Sequence, residues 1–400
     1  MTSVKRWLLP DGVEDILPAE AHRLELLRRD LLDLYKSWGY ELVIPPLIEF
    51  LDSLLVGTSQ DLDIHTFKIT DQLSGKMMGI RADITPQAAR IDAHSLNREG
   101  VVRLCYADST LHTKPRGIMT SRVPIRIGAE LYGHSGVAAD IELICMMNES
   151  LLRAGIKDVH IVLGHVGVFR SLLEGAQLDP SVERQLFEAV QRKAYGEIDQ
   201  LLVSAVADVN LRQQLQELSR LSGDETVLER ARQVFADAPS TVVDELDELI
   251  EIAEGAKRRL GAISLGFDLC ELRGYEYHTG IVFAAYTPAY GRAVAKGGRY
   301  DDNGEAFGKA RPASGFDSDL KILAKLSQRE FTLDSGILAP DTDDSALMTF
   351  VEELRKSGEI VVTSLGDGEA DEADEADEAE MLALRCDRRL IKQDGSWKVV

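Results

Sequence analysis

The sequence PIRIGAELYG, Pro124–Gly133, alternates between apolar and other side chains. Side chains point to opposite faces along a β-strand, so this pattern predicts a strand with one apolar face turned toward a core. The other face carries two opposite charges, a glycine and an aromatic ring: Arg126, Gly128, Glu130 and Tyr132. Because Gly128 leaves room between the charges, this face is suited to form the floor of a ligand site. A solvent-facing strand with a cross-strand ion pair explains the segment equally well.

Further strand and helix patterns surround this segment. Strands are predicted at Glu41–Ile44, Met77–Asp83, Val101–Asp108, Val159–Leu163, Ser264–Leu272, Thr279–Ala285 and Ala293–Gly298. Helices are predicted at Pro18–Tyr40, Pro86–Ser95, Ala138–Arg153 and Ser318–Leu326. Regular strand–helix–strand alternation is rare here, whereas hairpin-like turns recur. We therefore predict an α+β fold in which helices flank a largely antiparallel sheet.

The character of the sequence changes between His165 and Leu260, where helical periodicity replaces strand-like runs. We expect a core over residues 1–330, interrupted by a helical insertion at about 165–262, and a small C-terminal α/β domain over 331–400. Within that domain the patterns predict a helix, a strand and a terminal hairpin that turns at Asp394–Gly395. These three elements are expected at Asp344–Ser357, Glu359–Ser364 and Leu382–Val400.

An acidic run, GEADEADEADEAE, occupies residues 368–380 and contains eight acidic residues and no basic one. It has no apolar face and repels itself, so we expect a solvated acidic linker. The whole chain has 45 Lys+Arg against 67 Asp+Glu, a formal net charge of −22, of which −14 remains without this run. An excess of negative charge is the wrong sign for gripping a phosphate backbone, so we expect no nucleic acid partner.

Three further features concern the cellular setting. No run of 18 apolar residues is present, so no membrane association is expected. The first ten residues lack the pattern of a signal peptide, so we expect a cytoplasmic protein. The four cysteines lie far apart in the sequence and are expected to be reduced thiols.

A second candidate site segment is ELRGYEYHTG at Glu271–Gly280. On a strand, Arg273, Tyr275 and Tyr277 would share one face, with His278 adjacent. An arginine can hold a carboxylate through two hydrogen bonds, and aromatic walls can hold a flat side chain. Tyrosines that merely cover a sheet face are an equally good interpretation. Nearby, KGGRYDD adds a glycine pair followed by Arg299 and Tyr300.

Motifs of common catalytic sites are absent. The sequence contains no HExxH, Walker A, GxGxxG or GxSxG motif, and its histidines do not have the spacing of a metal site. We therefore expect no catalytic residue, no metal and no cofactor. The residues predict a binding site more readily than a reaction centre.

In this order, these segments resemble the catalytic core of histidyl-tRNA synthetases, which have the class II synthetase fold, over roughly residues 9–327. DGVEDILPAE resembles the opening motif of that family, and the Pro18–Pro46 helix and strand resemble motif 1, which builds a homodimer interface. RIGAELYG resembles the end of motif 2, and ASGFDSDLKIL at Ala313–Leu323 lies where motif 3 belongs. RADITPQAAR, LRGYEYHTG and KGGRYDD resemble the segments that recognise histidine.

The sequence departs from that family at the positions that hold ATP. By resemblance, the arginine and glutamate of motif 2 correspond to Leu111 and Thr113. In motif 3, Asp319 replaces a glycine and Ile322 replaces an arginine. Bringing a carboxylate against an ATP phosphate requires charge neutralisation that Leu and Ile cannot supply. Only 70 residues follow position 330, fewer than an anticodon-binding domain needs. We therefore predict that the chain has no aminoacylation activity.

The amino-acid pocket of the family is retained with two changes. Asp83 is shorter than the usual glutamate, and Arg126 takes the place of a glutamine. The resemblance implies a histidine pocket formed by Asp83, Thr85, Arg126, Glu130, Arg273, Tyr275, Tyr277, His278 and Tyr300. It assigns the ammonium group to Asp83 and Glu130, the carboxylate to an arginine, and the imidazole to the aromatic residues.

A synthetase-like core without the ATP arginines, followed by a short C-terminal domain, resembles the family of ATP phosphoribosyltransferase regulatory subunits. RADITPQAARIDAH and LRGYEYHTGIVFAAY are similar to the versions in that family. The resemblance implies a non-catalytic homodimer within a hetero-oligomer. Its partner would be the short catalytic subunit, which performs the first step of histidine biosynthesis, and histidine would be the effector that mediates feedback inhibition.

Three other functions compete with this interpretation. The first is a divergent histidine–tRNA ligase, and the second is a ligase-like enzyme that activates an amino acid for another acceptor. Both require the missing motif 2 and motif 3 arginines. The third is a free-standing amino-acid-binding or interaction protein with a different partner, which co-purification would distinguish.

Overall fold

The computed structural model describes residues 7–56, 60–115, 117, 120–261, 263–272, 277–301, 308, 310–365 and 373–400. At 60–61 and 373–377 it describes the backbone only. The chain forms two compact units, Met1–Arg329 and Glu330–Val400.

The strands of the first unit are β1 Glu41–Leu42, β2 Ile48–Phe50, β3 Phe67–Thr70, β4 Met77–Ile80, β5 Val102–Ser109, β6 Ile125–Tyr132, β7 His160–His165, β8 Ser222–Gly223, β9 Ser264–Asp268, β10 Ile281–Thr287, β11 Tyr290–Arg299 and β12 Ala313–Asp319. Its helices are α1 Pro18–Ser37, α2 Leu51–Leu54, α3 Gln60–His65, α4 Thr85–Arg90, α5 Val137–Arg153, α6 Val166–Ala176, α7 Pro180–Gln191, α8 Tyr195–Ala205, α9 Val209–Leu218, α10 Thr226–Val234, α11 Ser240–Leu260 and α12 Leu320–Leu326.

Nine strands form the main sheet, in the order β1-β5-β6-β12-β11-β10-β7-β9-β8. The β1–β5 and β7–β9 pairs are parallel and the other pairs are antiparallel. The predicted α+β fold, a largely antiparallel sheet flanked by helices, is therefore confirmed. Strands β2, β4 and β3 form a separate antiparallel sheet that the sequence patterns did not indicate as a unit.

Helix α1 illustrates how the sequence determines one layer. Leu24, Leu27, Leu31 and Leu34 recur on one face of the helix and are all buried. Pro18 occupies the first turn, where its missing N–H costs nothing. The helix ends before Gly39, whose φ of +85° suits a residue without a side chain. The predicted helix is therefore present and ends three residues early.

Two predicted helices differ in the structure. The helix expected at Pro86–Ser95 consists of α4 and a π-helical turn at Ile91–Leu96, which stops at left-handed Asn97. Ser318 and Asp319 belong to strand β12 and not to the predicted helix, because all seven residues of β12 are buried between β6 and β11. Helix α12 starts directly afterwards, and the Asp319 side chain accepts a hydrogen bond from the Lys321 N–H as its cap.

Between β7 and β9 the chain forms helices α6 to α11, with one short strand, β8, paired to β9. The strand Ser264–Leu272 expected after this stretch ends at Asp268, where a turn begins. No helix in the described residues is both long enough and apolar enough to cross a membrane.

The second unit contains a four-stranded sheet in the order β14-β13-β15-β16. Its strands are β13 Gly336–Ala339, β14 Val361–Thr363, β15 Cys386–Gln393 and β16 Ser396–Val399, and its helices are α13 Ser345–Lys356 and α14 Ala373–Leu384. Ile337, Leu347, Val351 and Leu390 contribute to its core. The β15–β16 hairpin turns at Asp394–Gly395, both with positive φ, as the sequence predicted.

The acidic run differs from the linker that we expected. Residues 366–372 lie outside the described part of the chain, but the run from Ala373 onward belongs to α14. Alanine and glutamate are strong helix formers, and the helix leads directly into β15. Consequently the terminal hairpin begins at Cys386 and not at Leu382.

Candidate functional site

Strand β6 lies between β5 and β12 in the main sheet, so both of its edges are paired. Ile127, Ala129 and Leu131 are buried on one face, as predicted. On the other face the Glu130 residue is only 1% exposed, and Tyr132 is 2% exposed. The interpretation of β6 as a solvent-facing strand is therefore wrong.

Glu130 is the centre of a buried polar network. Its Oε1 accepts a hydrogen bond from the Tyr106 hydroxyl at 3.0 Å, and its Oε2 accepts one from the Tyr300 hydroxyl. The Tyr106 hydroxyl also lies 3.2 Å from Thr85 Oγ1. Burial raises the pKa of Glu130 to about 8, although these hydroxyl groups stabilise its ionised form. The buried environment therefore favours a protonated Glu130 at neutral pH.

Glycines on β6 and β12 create the space for this network. Gly128 pairs with Tyr106 on β5, and a Cβ there would lie 2.7 Å from the Tyr106 hydroxyl. The room that Gly128 leaves between Arg126 and Glu130 is thus filled by Tyr106, not open as predicted. On β12, Gly315 pairs with Glu130, and a Cβ at Gly315 would overlap the Glu130 carboxylate.

Arg126 forms a cross-strand ion pair on the same face. Its Nε donates a hydrogen bond to Asp317 Oδ2 at 2.8 Å, and its side chain is 17% exposed. Burial acts against the charged form of the guanidinium, but the nearby carboxylates of Asp317, Asp83 and Asp319 outweigh it and raise the pKa of Arg126. The ion pair proposed as the simpler interpretation is therefore present, on a buried face.

Asp83 and Thr85 lie at the start of α4, where Thr85 contacts Tyr106 of the Glu130 network. Asp83 Oδ1 accepts hydrogen bonds from the backbone N–H groups of Ile84 at 2.7 Å and Thr85 at 3.2 Å. The α4 N-terminus therefore fixes Asp83, while the Thr85 hydroxyl joins the network of Tyr106. Both side chains belong to the same polar cluster as Glu130 and Arg126.

The aromatic part of the site is formed by Tyr277, His278 and Tyr300. The Tyr277 and Tyr300 rings stack at a centroid distance of 5.0 Å, and the His278 ring meets Tyr277 edge-on at 5.3 Å. Among the described residues, the buried Tyr277 hydroxyl has no hydrogen-bond partner. Burial lowers the pKa of His278 to about 4, so its ring is neutral at pH 7 and donates from Nδ1 to the Arg299 carbonyl at 3.1 Å.

The structure thus brings together seven of the nine predicted site residues: Asp83, Thr85, Arg126, Glu130, Tyr277, His278 and Tyr300. Arg273 and Tyr275 lie outside the described residues. Tyr277 lies in a turn before β10, so the expectation that it shares a strand face with them is wrong. A strand cannot continue from β9 because the chain turns after Asp268.

Sequence reasoning did not identify Tyr106, Asp317 or Gly315 as parts of the site. Tyr106 is fully buried within β5, and Asp317 is 7% exposed within β12. A buried aspartate in a strand requires a partner, which was the available signal. Which residue is the partner of Asp317 depends on the pairing of β12 with β6, and residue spacing alone does not reveal that pairing.

The residues that replace the ATP-binding residues of the synthetase family are not cations: Leu111, Thr113, Asp319 and Ile322. The Leu111 N–H donates to the Arg81 carbonyl, and the Thr113 hydroxyl donates to the Ile64 carbonyl. Asp319 is 6% exposed, and burial raises its pKa while Arg126 opposes that shift. Carboxylates therefore surround Arg126.

Comparison with known proteins identifies the family of the chain. A family model of histidyl-tRNA synthetase matches residues 12–323, and one described as ATP phosphoribosyltransferase subunit HisZ C-terminal domain matches residues 334–400. The ATP phosphoribosyltransferase regulatory subunit of Stutzerimonas stutzeri is 52% identical over 100% of this chain and 99% of its own length. The chain belongs to the family of ATP phosphoribosyltransferase regulatory subunits.

A second curated member of this regulatory-subunit family, from Azotobacter vinelandii, is 51% identical over 100% of this chain and 99% of its own length. Solved structures agree on the fold. An ATP phosphoribosyltransferase regulatory subunit/histidyl-tRNA synthetase from Bacillus halodurans has a TM-score of 0.83 at 24% identity and covers 97% of this chain and 99% of its own. Histidyl-tRNA synthetase from Nostoc has a TM-score of 0.77 at 16% identity and covers 99% and 97%. The regulatory-subunit family thus shares the synthetase fold.

Proposed function

We propose that this chain is the non-catalytic regulatory subunit of a cytoplasmic ATP phosphoribosyltransferase and assembles with the short catalytic subunit of that enzyme. Together they would join ATP to phosphoribosyl pyrophosphate, the first step of histidine biosynthesis. Family membership supports the assignment. The observation that carries it is the contrast between a preserved polar and aromatic pocket around Glu130 and the replacement of the ATP-binding positions by Leu111, Thr113 and Ile322.

We propose that the chain has no aminoacylation activity of its own. Amino-acid activation depends on positioning and on neutralising phosphate charge, and each lost arginine costs roughly 3 kcal/mol of transition-state stabilisation. The buried Asp317 and Asp319 beside Arg126 add negative charge at this face. A chain with these residues binds an amino acid more readily than a triphosphate.

The proposed effector is histidine, bound in the pocket described above. A zwitterion would place its ammonium group against Asp83 and Glu130, where its positive charge favours the ionised form of Glu130, and its imidazole against the stacked rings of Tyr277 and Tyr300. An arginine would hold the carboxylate, as the resemblance implies. Feedback inhibition would follow if histidine favours a less active assembly, which requires a difference in affinity worth typically about 1–3 kcal/mol.

A homodimer within the hetero-oligomer is part of the proposal. Apolar side chains on the β2-β4-β3 sheet and in the segment before β2 support a homodimer, because they are more exposed than is usual in a monomer. Ile44 is 74% exposed, and Ile48, Phe50 and Met77 are each more than 40% exposed. Ile44 lies within the Pro18–Pro46 segment that resembles motif 1, and Ile48 and Phe50 follow it closely in the chain.

Reconstitution with the short catalytic subunit from the same organism tests the proposal. We expect the two proteins to co-elute from a sizing column and pyrophosphate release from ATP and phosphoribosyl pyrophosphate to need both. A catalytic subunit that is equally active alone, or that fails to co-elute, would contradict the proposal. Because part of the chain matches the histidyl-tRNA synthetase model, histidine-dependent exchange of pyrophosphate into ATP is measured in parallel. Exchange would favour a divergent histidine–tRNA ligase.

A further inference from the structure

A buried histidine meets two carboxylates where the helical insertion joins the main sheet. His165 is the last residue of β7, immediately before α6, and is 0% exposed. Glu245 and Glu248 lie three residues apart on α11, so they share one helix face. Glu245 Oε2 lies 3.1 Å from His165 Nδ1, and Glu248 Oε1 lies 3.6 Å from His165 Nε2.

The imidazole of His165 is not satisfied by these contacts. Among the described residues, neither ring nitrogen has a well-aligned hydrogen-bond partner. A fully buried polar ring normally has one, so an additional ligand is indicated. The carboxylates of Glu245 and Glu248 keep 31% and 34% side-chain exposure, which leaves an approach from solvent. A Cβ at Gly167 would lie 2.5 Å from the Glu245 carboxyl, so the glycine preserves room for that side chain.

The charges around the cluster favour a cation. Two further carboxylates and two guanidinium groups act on it: Asp140, Asp244, Arg170 and Arg299. Counted with Glu245 and Glu248, the carboxylates outnumber the guanidinium groups, and His165 is neutral when it acts as a ligand. The excess of negative charge favours a bound cation.

We propose that His165, Glu245 and Glu248 form a binding site for one divalent first-row transition-metal ion, such as Zn²⁺ or Mn²⁺. One atom from each of the three residues lies within 4.8 Å of the others. Ligands of a tetrahedral zinc ion are separated by about 3.4 Å, given bond lengths near 2.1 Å. Because Glu245 and Glu248 face different nitrogens of the ring, one of these glutamates must rotate toward the nitrogen that binds the ion, and both side chains are about one-third exposed. A nitrogen ligand with two carboxylates selects transition metals over Mg²⁺ or Ca²⁺.

The site lies between the β7–α6 junction, which carries His165, and helix α11, which carries Glu245 and Glu248. The Val166 N–H donates to the Gly280 carbonyl at 3.1 Å, and Arg170 Nη2 donates to the His278 carbonyl at 3.0 Å. A bound ion would therefore fasten α11 to the β7–α6 junction, next to the segment that carries Tyr277 and His278. The sequence could not reveal this cluster, since 80 residues separate His165 from Glu245.

Metal titration of the full chain tests the inference. Chelator-treated protein is titrated with Zn²⁺ and Mn²⁺ by calorimetry, and with Co²⁺ by visible absorption. We expect one ion per chain and a rise in Tm of about 2–5 °C at saturation. Glu245→Gln and Glu248→Gln should each weaken binding by about tenfold or more. Glu251→Gln, an exposed residue on the same helix, should bind as the unaltered chain does.

Two binding results would overturn the inference. One is the absence of binding at millimolar metal by the folded chain. The other is equal binding by Glu251→Gln and by the Glu245→Gln/Glu248→Gln double variant, whose fold is checked by circular dichroism. Nitrogen NMR of the His165 ring adds a readout that does not depend on stability. A ring that stays doubly protonated at pH 7 with metal present is an imidazolium held by two carboxylates and not a metal ligand.

Discussion

Gly315 lies directly opposite Glu130 across the β6–β12 pair, and a Cβ on Gly315 would occupy the position of the Glu130 carboxylate. The absence of one side chain thus determines where the central carboxylate of the pocket lies. Tyr106 and Gly128 repeat the relationship on the other side of β6. Large polar groups on this face are matched with glycines on the neighbouring strand, so the pocket depends on the sheet register.

Replacing Gly315 with alanine should therefore destabilise the fold and weaken histidine binding. Overpacking of a buried site typically costs about 1–3 kcal/mol, and here the methyl group also displaces Glu130 from its tyrosine partners. Urea denaturation and calorimetry with histidine measure the two effects. Gly291→Ala is the matched control, since Gly291 lies in the neighbouring strand β11 of the same sheet but a Cβ there has open space. Equal stability and equal binding in both variants would contradict the argument.

Glu130 should make the protein less stable as pH rises from about 4.5 to about 8. Its folded-state pKa of about 8 lies above the value of an exposed glutamate, so the folded chain binds more protons than the unfolded chain in this interval. Below the interval both states are protonated, and above it the full burial cost is present. Denaturation at several pH values should show that the free energy of unfolding declines by a few kcal/mol at most over this interval. The decline should be absent in Glu130→Gln. An unchanged slope in that variant would assign the decline to other groups.

Arg126 and Asp317 should show strong coupling in a double-mutant cycle. Arg126→Met leaves a buried Asp317 uncompensated, which typically costs about 3–5 kcal/mol. Arg126→Met/Asp317→Leu should recover much of that loss, because no isolated charge remains. The exposed Arg29–Glu25 pair on α1 is the control, and Arg29→Met should cost less than about 1 kcal/mol. Additive effects of the two core substitutions would show that the ion pair contributes no coupling.

The sequence was sufficient where a pattern repeats along one element. The leucines of α1 and the alternation in β6 predicted both elements and their buried faces, because period and burial are properties of a single segment. Asp83, Thr85 and Tyr300 were indicated by the resemblance to histidyl-tRNA synthetases and not by such a pattern. The β15–β16 hairpin followed from its Asp-Gly turn.

Features that depend on pairing between distant segments could not be predicted. Asp317 was visible in the sequence, but its contact with Arg126 follows from the register of β12 on β6. The small and polar residues of β12 resemble a helix cap more than a central strand, which is why Ser318 was assigned to a helix. Charge patterning likewise indicated a linker in the acidic run, where helix propensity prevails from Ala373.

Tyr277 and Tyr300 allow ligand binding to be distinguished from folding. The buried Tyr277 hydroxyl has no partner among the described residues, so Tyr277→Phe should leave stability unchanged or raise it slightly. If that hydroxyl faces the proposed histidine, the same variant should bind histidine about tenfold more weakly. Tyr300→Phe removes a hydrogen bond to Glu130 and should lower stability by about 1–3 kcal/mol. Thermal denaturation and calorimetry on both variants check this. Loss of stability without loss of affinity in Tyr277→Phe would place the hydroxyl outside the ligand site, because only a structural role would then be left for it.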